Sequence, residues 1–151
     1  IGIAIPAASA LRQQAKVSAT QATLQGAMNV ETELRALRNN VPLNHLDAPT
    51  SYGTHREIEY LVAQAQQTEA TRKLVEMLDL IDDDDDTREE IADAWGHPLM
   101  YRDSGASGDA WPKHPTPYFV SPGPDGEFGS YDNQNLPNAA AEDNVVSFEI
   151  R

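Results

Sequence analysis

The chain has 151 residues, enough for one domain with a sizeable core, and its 40% apolar content excludes disorder throughout. Its 24 acids against 11 bases give a net charge of −13, which excludes the basic face of a nucleic-acid binder and a polybasic membrane-surface module. The absence of cysteine excludes disulfides, thiol catalysis and cysteine-ligated zinc.

The charge is unevenly spread. Residues 1–40 carry Arg12, Lys16, Arg35 and Arg38 against Glu31 and Glu33, a net of +2, which leaves −15 on the remainder. The first eleven residues, Ile1 to Leu11, are uncharged and mostly apolar. They are too few for a membrane span, which needs ~20 such residues. They suit either the tail end of a longer hydrophobic segment or a buried first turn of helix.

Residues 7–38 are expected to form one long helix, with Gly26 as its only glycine and no proline. Val17, Leu24, Ala27, Met28, Leu34 and Leu37 recur near spacings of three, four and seven, an apolar stripe on one face. Ala7, Ala8, Ser9, Ala10, Ala15, Ser18, Ala19 and Ala22 supply small side chains elsewhere on the helix, where backbones can approach closely. Asn39-Asn40-Val41-Pro42 should end it, because Asn tolerates a C-cap and proline disfavours helix before it. Pro6 is either a harmless first-turn proline or a kink.

Residues 43–53 are expected as loop. Thr54-His55-Arg56-Glu57 has the spacing of a capping box. Ile58, Leu61, Val62, Ala65, Leu74, Leu78 and Ile81 follow at helical spacing, which predicts a second helix over roughly 55–80. The five aspartates Asp82 to Asp86 should stop it by self-repulsion. They do not make an EF-hand loop, whose sixth position must be glycine and here is Thr87.

Beyond residue 95, prolines and glycines concentrate and the pattern turns to short strands at 98–102, 118–121 and 145–150. The predicted fold is α+β: a stalk helix over 1–40, then a head over 41–151 with a second helix and a small C-terminal antiparallel sheet.

Catalytic chemistry is thinly represented. His45, His55, His97 and His114 show no metal-ligand spacing, and Ser104-Gly105-Ala106-Ser107-Gly108 is not a hydrolase elbow. Gly123, Gly126 and Gly129 do not match a dinucleotide-binding glycine loop. One constellation stands out. The turn-rich segment Ser121 to Ser130 carries Asp125, Asp132 follows, and Asp143 precedes the last strand. Calcium takes six to eight oxygens from carboxylates and carbonyls, and a loop turned by glycine and proline exposes carbonyls well. The same residues also suit an ordinary acidic turn.

Three segments, in order, resemble the type IV pilin-like family and within it the major pseudopilin of type II secretion. Ile1-Gly-Ile-Ala-Ile-Pro-Ala, running into a long helix, resembles the end of the family's hydrophobic N-terminal segment. Asp93-Ala94-Trp95-Gly96-His97-Pro98, with Tyr101 after it, resembles the family's Asp-Pro-Trp-Gly-Asn-Pro box, with Ala94 in place of proline. Ser121-Pro-Gly-Pro-Asp125-Gly with Asp143-Asn-Val resembles its calcium loop. The family's processing site and early glutamate are not in this sequence. The resemblance implies a non-catalytic structural subunit, anchored in the inner membrane and then added to a periplasmic or extracellular helical filament. Its partners would be copies of itself, the inner-membrane assembly machinery and minor pilins or pseudopilins, with no nucleic acid. It further implies a melted stretch near Pro6 and a structural calcium held around Ser121, Asp125, Asp132 and Asp143. Two other readings compete with it: a non-polymerising, exported calcium-dependent binding domain, and an enzyme using paired carboxylates.

Overall fold

Ala4–Leu37 forms one uninterrupted helix, α1, about 51 Å long. The computed structural model describes residues 4–43, 55–83, 87–103, 114–130 and 137–149. Pro6 lies in the first described turn of α1, and the helix continues through it. At the other end Asn39 and Asn40 both adopt positive φ, and the Asn40 N–H donates to the Arg35 carbonyl at 2.8 Å. That closure satisfies a terminal carbonyl in the way the paired asparagines predict.

The second predicted helix is two. α2 (Arg56–Ala65) and α3 (Glu69–Val75) are separated by Gln66, Gln67 and Thr68. Thr68 takes an extended backbone and caps α3 by accepting from the Thr71 N–H, while the Thr71 hydroxyl donates to the Ala65 carbonyl at the end of α2. Two threonine side chains thus replace the backbone bonds that a continuous helix would make. α2 begins after His55 without a side-chain cap, and Thr54 of the expected capping box lies outside the described residues.

After α3 comes a feature the periodicity did not suggest. β1 (Leu80–Ile81) pairs antiparallel with β2 (Glu90–Ile91), so the aspartate run joins two strands instead of only ending a helix. Asp82 Oδ2 accepts from the N–H of Thr87, which has a left-handed φ of 72°. β3 (Met100–Arg102), β4 (Tyr118–Ser121) and β5 (Val145–Val146) form the expected antiparallel meander in the order β3-β4-β5. The last strand is shorter than its alternation suggests. After Val146 the chain turns into a 3-10 segment at Ser147–Glu149, and Ser147 Oγ accepts the Phe119 N–H at 2.9 Å in place of a strand carbonyl.

The period of two along β4 separates two clusters. Phe119 joins Tyr101, its cross-strand partner with ring centroids 5.2 Å apart, in the main core with Leu24, Ala27, Val30 and Leu34 of α1 and Ile58, Leu61 and Val62 of α2. Tyr118 and Val120 pack with Val146, Phe128 and Phe148 in a smaller cluster. α1 therefore has two different halves. Residues 20–34 supply the core, whereas residues 7–16 are all exposed and Leu11 keeps 66% of its surface. Every small residue singled out above, from Ala7 to Ala22, lies exposed.

Candidate functional site: the junction of the stalk helix and the C-terminal loop

The Asp93–His97 segment is a tight three-residue turn between residues that pair as strand. The Asp93 N–H donates to the His97 carbonyl at 2.8 Å, Ala92 bridges Pro98, and Gly96 closes the turn at a φ of 89°. A left-handed residue at the end of a three-residue hairpin loop is the usual place for glycine. The Asp93 carboxylate organises everything around this turn. Oδ1 accepts the N–H of Trp95 at 2.8 Å and of His97 at 3.0 Å, and Oδ2 accepts the Ser121 hydroxyl at 2.6 Å. The same Ser121 oxygen accepts the Gly123 N–H at 3.1 Å, and His97 Nδ1 donates to the Gly123 carbonyl at 2.9 Å. On the opposite side the Ala94 N–H donates to the hydroxyl of the buried Thr20 on α1. The turn therefore ties the stalk helix to the start of the Gly-Pro-Asp loop.

Asp93, His97 and Ser121 do not form a nucleophilic triad. The serine proton goes to the aspartate, and the imidazole faces a carbonyl, so no base addresses the hydroxyl.

Gly123 sits at a φ of 72°, and a Cβ there would stand 2.5 Å from the Asp143 carbonyl oxygen and 3.1 Å from its Oδ2. This close approach brings Asp143 against the loop. Asp143 Oδ1 is buried and has no hydrogen-bond partner among the described residues. Asp125 is exposed, and its Oδ1 accepts the Glu127 N–H at 2.8 Å within the turn. Ser121 is fully buried with its hydroxyl committed on both sides, and Asp132 lies outside the described residues. Of the four positions predicted for calcium, Asp143 thus carries an unspent buried oxygen, Asp125 lies two residues beyond Gly123, and the Ser121 side chain braces the loop from within. Among the described residues no group of three or more His, Cys, Asp or Glu is placed to hold a metal. Beside the loop runs a groove of about 390 Å³, lined by Gln13, Val17 and Gln21 of α1 and by Pro124, Asp143 and Asn144.

Sequence reasoning missed the buried acids. Glu31, Glu59 and Glu90 are each almost inaccessible. Glu31 was legible in retrospect, since it stands four residues after Ala27 and three before Leu34, on the apolar stripe itself. Burial pushes its carboxyl above the ordinary carboxylate range, only partly opposed by Arg35. Burial likewise raises the Tyr101 phenol, helped by the nearby Glu31 and Asp103 charges.

Comparison with family models, curated proteins and solved structures returned no match for this chain. Among the described residues no helix is long and apolar enough to cross a membrane.

Proposed function

We propose that this protein is a structural filament subunit of the type IV pilin-like class, resembling a type II secretion major pseudopilin, without catalytic activity. The observation that carries this reading is the division of α1. One half is locked into the head core, and the other half stands exposed with its small residues uncovered. An exposed half-helix of small residues is suited to packing against the same helix of other copies. Identical subunits meeting through a heterologous contact that does not close build a helical polymer. The mildly basic stalk and strongly acidic head add complementary charge between successive copies.

Calcium in this reading is structural. Asp143 would hold it through the buried oxygen that has no other described partner, together with Asp125, Asp132 and carbonyls of the Gly-Pro turn. Ser121 would act as a brace, its hydroxyl already spent on Asp93 and Gly123. The ion would supply charge neutralisation and cross-linking of the loop, which holds the C-terminal strand against the sheet.

Electron micrographs of the full-length protein, sheared from its native cells, test the reading. Ordered filaments whose helical map places the α1 helices at the centre are expected. Monodisperse particles, with and without calcium, would overturn it and favour a calcium-dependent binding domain that uses the groove between α1 and the loop.

A further inference from the structure

Glu31 retains only 1% of its surface, on the α1 face that also carries Ala27, Val30 and Leu34. Neither carboxylate oxygen has a hydrogen bond among the described residues. Its countercharge is Arg35, with Nη2 at 3.5 Å and a side chain that is 30% exposed, so solvent screens it. The neighbouring phenol gives no help, because the Tyr101 hydroxyl donates to the Leu43 carbonyl at 2.9 Å. The other charged groups around Tyr101 are Asp103, which is buried and has the same sign as Glu31, and Arg38 at the end of α1. An ionised carboxylate held this way lacks the donors that normally offset its desolvation. The Glu31 charge acts on the Tyr101 phenol of β3, whose bond to the Leu43 carbonyl joins β3 to the segment leaving α1.

We propose that Glu31 is a proton-operated latch on this joint: the neutral carboxyl lets α1 close on the head, and the ionised carboxyl loosens it. The raised proton affinity that burial gives Glu31 is consistent with the geometry. Because the folded form holds this proton more tightly than the unfolded chain, the latch is fully engaged below the unfolded carboxyl range. It is released as pH rises through the folded value, and the penalty is constant above it. The latch does not depend on filament formation and is testable on the monomer.

The test follows thermal unfolding from pH 4 to pH 8 for the wild type, Glu31→Gln and Glu33→Gln. Glu33 is exposed two residues away and reports the general relief of acidic repulsion. Glu31→Gln should melt about 2–5 °C higher than the wild type at pH 7 and lose part of the wild-type gain on acidification. Glu33→Gln should follow the wild-type profile. A Glu31→Gln protein that melts lower at pH 7, or whose profile runs parallel to the wild type, overturns the latch. The carbon-13 shift of the Glu31 carboxyl in the wild type gives an independent readout that needs no variant. A midpoint above the ordinary value of 4.5 supports the latch, and one at or below it overturns it.

Discussion

Asp93 joins three parts of the chain that lie far apart in sequence. Its two oxygens take the Trp95 and His97 N–H groups and the Ser121 hydroxyl, and the turn they shape reaches Thr20 through the Ala94 N–H. Hydrogen bonds to a buried charged acceptor contribute more than neutral ones, and removing the acceptor leaves donors stranded. Asp93→Ala should therefore cost about 2–4 kcal/mol in chemical denaturation, and Asp93→Asn less, since it keeps one acceptor oxygen. A cost within about 0.5 kcal/mol for the alanine variant would show that the turn holds without its carboxylate. The Asp-Ala-Trp-Gly-His segment is conspicuous in the sequence, and its glycine at a turn is legible there. Its partners are not, because Ser121 is 28 residues away and Thr20 lies on another element.

At the scale of elements, α1 follows its pattern closely, because a long apolar stripe and two asparagines leave few alternatives. The 55–80 segment does not, because its helical periodicity carries through Gln66–Thr68, where threonine side chains interrupt the backbone ladder. The short hairpin of β1 and β2 was hidden for a related reason. Two-residue strands have no readable period, and their pairing depends on Leu80 meeting Ile91 across the aspartate run. The two halves of α1 make a prediction of their own. Among the described residues, removing 1–12 takes away no member of either core cluster, so the truncated protein should melt within about 2 °C of the untruncated one. On the proposed filament reading, the same truncation should abolish assembly. A large fall in melting temperature would mean that the exposed half-helix packs on the head after all.

For the whole molecule, the proposed calcium site around Asp143 predicts a response to ions. A metal that binds only the folded form adds its binding free energy to stability, by about 2.7 kcal/mol at a hundredfold excess over its dissociation constant. Calorimetry in calcium and then in excess chelator should show a lower melting temperature in chelator, and Asp143→Ala should remove most of the difference. Equal melting temperatures in both conditions would count against the metal and leave the Gly123–Asp143 contact as plain packing.

The sequence by itself determined the long helix and its end, the meander of short strands, the acidic character and the α+β class. Each of these follows from local propensity or from a period that recurs over many residues. Only the tertiary structure decided that Glu31 is buried, that Ser121 serves Asp93, that Asp143 is pressed against Gly123, and that half of α1 remains bare. Those outcomes depend on which distant surfaces meet. A carboxylate or a serine carries the same local signal whether its neighbour in space is water, an apolar side chain or another polar group.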